Sequence, residues 1–373
     1  MTFAGALVNV ACGLAGLTLV LLTIVDVFFS VIVPRPARSR LRASVLMSRY
    51  SWQAWRAIAE RFGDADQRED ILGTYAPALL VSLAVLWVTL LIGGYGLLFF
   101  ALRAQTHTIL SLGTAFYFAG TSLLTIGYGD VTPSGPLTRV LSVAAGATGF
   151  GVVAIVTTFL FSIFGSFQMR EAFVITFGTR SGAPPSAVDL LVSAQKLGML
   201  ERALEVSEPA QTWMAQVMET HLAYPVLIYF RSTHDGLSWI GTLGGLLDTA
   251  TLVLTTLDHP QTGEATLIVR LGKHVVDDIA NYFELENTGD VGIERSEFDQ
   301  AYARFREAGM AVRPLDEAWE GFRRTRAAYA SRLNAMATYL RIPPQQWISD
   351  RSLLGGRHGR TAIAPRVREK AAP

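Results

Sequence analysis

The stretch with the clearest chemistry is Thr125–Asp130, which has the sequence TIGYGD and lies between two long apolar segments. A cation leaves water only if a ring of oxygens replaces its hydration shell, and backbone carbonyls form that ring when successive residues turn them inward. This favours glycine at alternate positions, because a side chain there would obstruct the backbone. Gly127 and Gly129 meet this need, and Thr125 adds a carbonyl and a hydroxyl. The spacing therefore predicts an ion-coordinating loop.

Residues 115–130, with the sequence AFYFAGTSLLTIGYGD, closely resemble the pore region of bacterial single-pore potassium channels. The Val131-Thr132-Pro133 turn and the glycine-bearing apolar segment that ends at Phe164 extend the resemblance to roughly residues 75 to 168. Leu124 departs from the family, which often has a second threonine there. The resemblance implies passive, selective conduction of K⁺ through a filter lined by backbone carbonyls, the standard example of ion coordination by such groups. It also implies that K⁺ is the transported ion and that the protein has no cofactor and no enzymatic activity. The chain beyond residue 168 is not recognised.

The resemblance also implies a role for particular residues. The carbonyls of Thr125, Ile126, Gly127 and Tyr128 would bind K⁺. Gly129 would let the loop turn outward. Filter support is expected from Asp130, Tyr117 and Phe118. A gating hinge in the inner helix is expected at one of three glycines, Gly146, Gly149 and Gly151, and the distance from Asp130 favours Gly149. The alternative is that all three glycines serve close helix packing.

A second Gly-Tyr-Gly, at residues 94–96, lacks the preceding Thr-x pair and lies inside an apolar run. We interpret it as a small-residue helix contact.

The composition indicates a divided chain. The 373 residues are 50% hydrophobic and have a mean hydropathy of +0.33, too apolar for a soluble protein and too charged for one that lies wholly in the membrane. The net charge of +1 gives no general attraction to nucleic acid. Cys12 is the only cysteine, so no intrachain disulfide can form.

Hydropathy predicts an all-α membrane protein with three transmembrane helices, at residues 3–33, 75–102 and 136–167, and a pore helix at 111–124 that is too short to span. A cleaved signal peptide is the alternative for the first segment, but the start is not basic and the apolar run is too long. Eight arginines between Pro34 and Thr74 indicate a cytoplasmic loop. The N-terminus is then outside the inner membrane and the C-terminal part is inside.

The predicted domains are the first transmembrane helix (1–34), an arginine-rich cytoplasmic linker (35–74), the pore domain (75–168), an α-helical cytosolic regulatory domain (169–345) and a basic disordered tail (346–373). In the linker an apolar stripe predicts a helix in the membrane interface; its members are Leu41, Val45, Trp52, Trp55, Ala59 and Phe62. Asp26, an ionisable group in a membrane helix, is either functional or an interfacial carboxylate paired with an arginine.

A linker with the sequence Gly-Thr-Arg-Ser-Gly-Ala-Pro-Pro is expected at 178–185. Helical patterns in the chain after it are expected near 186–203, 208–222, 225–258, 262–284, 294–309 and 314–341. No strand precedes a G-x-G-x-x-G motif, so a dinucleotide site is unsupported and any cytosolic ligand is unknown. One set of side chains has the order of a helical metal site: His221, His234, Asp235, His274, Asp277 and Asp278. Ordinary helix-surface hydrogen bonding is the favoured interpretation of these residues.

One chain supplies one filter strand and the ring needs four, so the resemblance leads to a homotetramer in the lipid bilayer. A less selective cation channel is one alternative. A membrane-tethered helical sensor or metal-dependent enzyme, with the pore as input, is the other.

Overall fold

The computed structural model describes residues 3–33, 42–106, 109, 111–201, 207–234, 236–259, 262–286 and 293–342. Helices make up nearly all regular structure in these ranges, and the β-pairing within them is limited to two isolated bridges. The predicted all-α fold class is confirmed. The predicted tail from residue 346 lies outside the described residues.

The chain forms two compact units. The first contains everything up to Gln168 together with Glu219–Arg231, and the second contains Met169–Met218 and the chain from Ser232. The first unit therefore includes a short segment whose two ends both continue into the second unit.

The first unit is built on α1 (Phe3–Val27, continued by a π-helical turn over Phe28–Ile32), α2 (Ala43–Ala59), α3 (Ala65–Gly73), α4 (Tyr75–Ala101), α5 (Leu112–Leu123) and α6 (Pro136–Ser181). Three helical stretches of the described chain are long and apolar enough to span a membrane: Phe3–Ile32, Gln67–Ala101 and α6. They correspond to the three predicted transmembrane helices. With 12 residues, α5 is only about 18 Å long and cannot span.

The second Gly-Tyr-Gly packs helices together, as predicted. A Cβ on Gly94 would lie 2.7 Å from a methyl carbon of Val20 in α1, and a Cβ on Gly96 would lie 2.1 Å from the Phe116 ring in α5. Between them, the Tyr95 hydroxyl lies 2.7 Å from the Thr148 hydroxyl of α6. This tripeptide thus brings α4 into close contact with three other helices.

Asp26 joins α1 to two other helices. Its carboxylate accepts hydrogen bonds from the Ser44 backbone N–H (3.1 Å), the Ser44 hydroxyl (2.6 Å) and the Trp87 indole (2.9 Å). Ser44 lies in the first turn of α2, where backbone N–H groups have no partner within the helix, so Asp26 caps α2 from outside. Of the two interpretations of Asp26, the arginine-paired one is wrong for the described residues, since Ser44 and Trp87 are its partners.

The orientation predicted for the linker helix is wrong. Trp52 and Ala59, on the stripe assigned to the membrane interface, are both 2% exposed and pack inside the protein. The exposed apolar side chains of α2 are on another face and include Leu46, Tyr50 and Ile58. Periodicity locates an apolar stripe but does not say whether lipid or protein covers it; here aromatic side chains of the same unit cover it. Leu41 lies outside the described residues.

The inner helix is longer than predicted. It continues past residue 167 to Ser181, through part of the expected linker at 178–185. In the second unit Val174 and Phe177 of this helix are buried, and Phe173 stacks on Trp213 with ring centroids 4.8 Å apart. This packing favours helix over the loop that the Gly-Thr-Arg-Ser-Gly sequence predicts.

The second unit contains α7 (Ala187–Lys196), most of α8 (Ser207–Ala223), α9 (Trp239–Thr255), α10 (Thr262–Tyr282), α11 (Arg295–Glu307), α12 (Leu315–Ala327) and α13 (Ala330–Leu340). Its core is apolar and centres on the fully buried rings of Phe298, Phe305 and Phe322. Burial of one such ring contributes about 2–3 kcal/mol to stability.

Two predicted helices are broken. The expected helix 225–258 is a 3₁₀ turn at Pro225–Tyr229 and then α9, which starts at Trp239 because the Ser238 hydroxyl caps the Gly241 N–H at 3.0 Å. The expected helix 314–341 is interrupted at Tyr329. The Tyr329 side chain lies in the core, where its hydroxyl donates to Asp248 at 2.6 Å.

Candidate ion-conduction site

The pore helix α5 is held in the apolar core of the first unit. The Ser111 hydroxyl caps its N-terminus by accepting the Thr114 N–H at 3.2 Å. Ala115, Ala119 and Leu123 form a buried face along the helix. The helix ends directly before Thr125–Asp130, the predicted ion-coordinating loop, which we call the filter loop. The partial negative charge of the helix C-terminus therefore points toward the filter loop and favours a cation there.

The sign of the backbone angle φ alternates along the filter loop. The φ angles of Thr125, Gly127 and Gly129 are +55°, +59° and +81°, whereas those of the intervening residues are not positive. A positive φ at every second residue is the backbone geometry that a carbonyl-lined ion path requires. Glycine adopts this conformation at little cost, whereas Thr125 is held in it against its preference.

Backbone hydrogen bonds fix the inner end of the loop to the pore helix. The Thr121 carbonyl accepts the N–H groups of Ile126 (2.8 Å) and Gly127 (3.3 Å), and the Ser122 carbonyl accepts the Thr125 N–H (3.2 Å). These bonds supply the constraint that holds Thr125 in its strained conformation. Sequence reasoning missed Thr121 and Ser122, because a backbone acceptor has no residue-type signature.

The outer end of the loop is tied to the chain that follows α4. The Gln105 carbonyl accepts the N–H groups of Ser134 (3.2 Å) and Gly135 (3.0 Å), as well as the Ser134 hydroxyl (2.6 Å). An isolated bridge pairs Thr106 with Pro133. The filter is therefore anchored at both ends by backbone. Nothing in the sequence pointed to Gln105.

The predicted support residues divide into two groups. The side chains of Tyr117 and Asp130 interact with each other beside the filter. Phe118 is only 6% exposed and packs against Phe99 of α4, with ring centroids 4.6 Å apart. The filter side chains are open in the single chain, and Tyr128 is 71% exposed.

The three glycines of the inner helix have different surroundings. A Cβ on Gly149 would lie 1.8 Å from the Leu123 carbonyl oxygen, at the end of the pore helix. A Cβ on Gly146 would lie 3.4 Å from the Ser122 carbonyl oxygen, an ordinary contact, and one on Gly151 would meet nothing within 4 Å. Gly149 therefore lets α6 pack against the base of the filter, and Gly151 is unconstrained by its own chain.

The candidate metal-site residues do not assemble among the described residues, where no group of three or more His, Cys, Asp or Glu side chains could hold one ion. Asp277 is paired with Lys273 and Arg332, and His274 lies 3.7 Å from Asp278 on one face of α10. His221 is buried, His234 is exposed, and Asp235 lies outside the described residues. Interactions on the surface of α10 account for three members of this set, His274, Asp277 and Asp278.

Comparison with known proteins agrees with this geometry. Residues 85–166 match a family model described as ion channel. The matched segment contains the filter loop and lies inside the region assigned from the sequence, so the predicted resemblance of the pore region is confirmed. This part of the chain is therefore similar to the pore region of ion channels.

One curated relative is an uncharacterized membrane protein, YdjJ, of Bacillus subtilis (strain 168). It is 22% identical over 204 residues, which are 50% of this chain and 54% of that protein. The chain thus spans about half the length of this relative. No solved structure matches the chain.

Proposed function

We propose that the protein is a potassium-selective channel that conducts K⁺ passively across the membrane. The observation that carries the proposal is the left-handed backbone at Thr125, Gly127 and Gly129, in a loop anchored at both ends. Carbonyls of Thr125, Ile126, Gly127 and Tyr128 would form the stacked K⁺ sites. The transported ion is the ligand, and the proposal includes no cofactor and no catalytic step.

A homotetramer completes the site. One chain provides one quarter of the oxygen ring, so four copies around a closed axis are required. The single chain leaves large apolar side chains of α6 exposed, among them Val140 (69%), Val143 (74%), Phe150 (72%) and Phe161 (76%). Neighbouring copies, the pore and lipid would share these surfaces. The exposed filter side chains fit the same assembly.

The proposed topology follows from charge. The arginine-rich chain between α1 and α4 is assigned to the cytoplasm, which puts the N-terminus and the filter mouth outside the inner membrane. The helical chain from residue 169 to 345 is then a cytosolic regulatory domain. Gating is assigned to bending of α6 in the Gly146–Gly151 turn, where Gly151 has room to bend and Gly149 fixes the helix to the filter base.

The test is cation flux in proteoliposomes that contain the purified full-length protein. We expect K⁺ flux to exceed Na⁺ flux by at least about tenfold and Gly127→Ala to abolish it, because a side chain is strained at a φ of +59°. Gly263→Ala is the matched control, since a Cβ there meets nothing within 4 Å. Equal K⁺ and Na⁺ fluxes that Gly127→Ala abolishes would identify a less selective cation channel. Wild-type flux no greater than that of empty vesicles, in tetrameric protein, would refute the proposal.

A further inference from the structure

A short segment from the C-terminal half of the chain belongs to the first unit. We call Tyr224–Arg231 the coupling segment; it consists of the 3₁₀ turn Pro225–Tyr229 and one or two residues on each side. Residues 169–218 and the chain from residue 232 belong to the second unit, which we call the helical unit. The coupling segment is therefore connected covalently to the helical unit at both ends.

One side of the coupling segment packs on the inner helix. Its first ring, Tyr224, contacts Phe159 with centroids 5.6 Å apart. Near its other end, Phe230 contacts Phe164 at 6.1 Å and Phe167 at 5.3 Å. Phe230 is 6% exposed, so these contacts are inside the protein. Together they cover about two turns of α6, well beyond the Gly146–Gly151 turn.

The other side packs on α2, α3 and the start of α4, which we call the scaffold. The Tyr229 ring lies 4.9 Å from Trp52 of α2 and 5.0 Å from Tyr75 at the start of α4. On this side Arg231 also forms an ion pair with Glu69 of α3, with 2.6 Å between Nη1 and Oε1. Trp52 and Tyr75 are nearly inaccessible, so the contact with this scaffold is as close as that with α6.

We infer that the coupling segment, besides the direct continuation of α6 into the helical unit, is an element through which the helical unit sets the position of the inner helix, and that Tyr224 and Phe230 are its positioning residues. The segment fills the space between α6 and the scaffold. A displacement of its ends must therefore change the spacing between α6 and the scaffold or break ring contacts. Each ring pair is worth about a two- to tenfold change in an equilibrium. The inference rests on the proposed function and names its regulation.

The first experiment reverses the ion pair at one end of the segment, in which the Arg231 side chain is 12% exposed and the Glu69 side chain is 47% exposed. Arg231→Glu and Glu69→Arg each place like charges together and should shift K⁺ flux about threefold or more, in the same direction. The double variant restores an ion pair and should return flux to within about twofold of wild type. The control reverses the Arg323–Glu320 ion pair of α12, in which both side chains are exposed, and should leave K⁺ flux unchanged.

The second experiment removes the buried end. Phe230→Ala deletes two ring contacts with α6 and should change K⁺ flux by about tenfold, while the K⁺/Na⁺ flux ratio stays at the wild-type value. The unchanged ratio separates positioning of α6 from damage to the filter. Phe164→Ala combined with Phe230→Ala should be clearly less than additive, because both remove the same contact. Phe283→Ala, which removes a ring contact with Tyr339 in the helical unit, is the control.

The outcomes separate this inference from the proposed function. If wild-type protein conducts K⁺ selectively but both variant series stay within about twofold of it, the coupling segment is a passive packing element and the inference is wrong. A change in the K⁺/Na⁺ ratio in Phe230→Ala would also overturn it. Absence of selective flux in wild type refutes the channel itself. Should Phe230→Ala fail to fold, the charge-reversal series decides, because it alters an ion pair whose Glu69 side chain is 47% exposed.

Discussion

The filter loop and the coupling segment are both short stretches outside the α-helices that contact helices of the first unit, but they are held in different ways. The filter loop is fixed by backbone: carbonyls of Thr121, Ser122 and Gln105 bind its N–H groups and those of the turn after it. The coupling segment is fixed by side chains, through aromatic rings and the Arg231–Glu69 pair.

This difference decides which substitutions each region tolerates. A backbone-defined loop favours glycine where φ is positive, as at Gly127 and Gly129, so the sequence itself is constrained. A side-chain-defined segment requires matching partners that are remote in sequence. The filter is consequently visible as a hexapeptide, whereas the coupling segment has no motif.

The largest effect is expected where the inner helix meets the base of the filter. Gly149→Ala places a Cβ 1.8 Å from the Leu123 carbonyl oxygen and must displace the pore helix or α6. Overpacking of this kind costs about 1–3 kcal/mol or more, and we expect K⁺ flux to fall at least about tenfold. Proteoliposome flux and tetramer yield are the measurements.

Gly151→Ala is the matched control for this substitution, two residues further along the same helix, where a Cβ meets nothing within 4 Å. Its tetramer yield should equal that of wild type. If Gly149→Ala conducts normally, the backbone contact between α6 and the pore helix does not constrain the filter. The statement that backbone contacts hold the filter loop in place would then be wrong.

The next effect concerns a side-chain anchor. Asp26→Ala leaves the Trp87 indole and the Ser44 N–H without their acceptor in a buried site, which costs about 1–3 kcal/mol for each donor left unpaired. We expect the thermal unfolding midpoint of the detergent-solubilised protein to fall by about 5 °C or more.

Thr23→Ala, in the same helix, is the control, because the Thr23 hydroxyl bonds only to the Leu19 carbonyl of its own helix. Its midpoint should fall by much less. An equal decrease in both variants would mean that Asp26 contributes nothing as a link between helices.

The smallest effect is expected in the second unit. Burial, and then the nearby Asp248 carboxylate, raise the pKa of Tyr329 well above its ordinary value of 10.0. The folded state therefore favours the neutral phenol, and this contribution to stability is complete below pH 10 and is lost as the pH rises above 10 toward the folded pKa. Tyr329→Phe should lower stability at pH 7.5 by about 1–2 kcal/mol through the lost hydrogen bond.

The difference between wild type and Tyr329→Phe should shrink between pH 10 and 11, as followed by near-ultraviolet circular dichroism during thermal unfolding. Arg326 keeps Asp248 paired in both proteins, at 2.9 Å. A difference that is independent of pH would contradict the assignment of this titration to Tyr329.

What could be predicted from the sequence follows the same division. The apolar runs predicted the three long helices, and Gly127 and Gly129 predicted an ion-coordinating loop, because both signals are local. The periodicity of residues 41–62 located α2 and its apolar stripe but not what covers that stripe, since Trp52 packs on Tyr229, which is distant in sequence. Likewise no local signal shows that Tyr329 interrupts a helix to reach Asp248.

The glycines of the inner helix show the same limit. Their number indicated that α6 bends or packs closely, but sequence could not assign the two roles. The contact of Gly149 with Leu123 assigns packing to that position. Such an assignment depends on two backbones meeting in space.

The central claim is selective K⁺ conduction, and its most direct test is the reversal potential of currents from purified protein in a planar bilayer. With K⁺ on one side and Na⁺ on the other, we predict single-channel currents whose reversal potential shifts far toward the K⁺ equilibrium potential, and no such currents from Gly127→Ala. A reversal potential at zero under the same gradient, in wild-type protein that opens, would contradict the account.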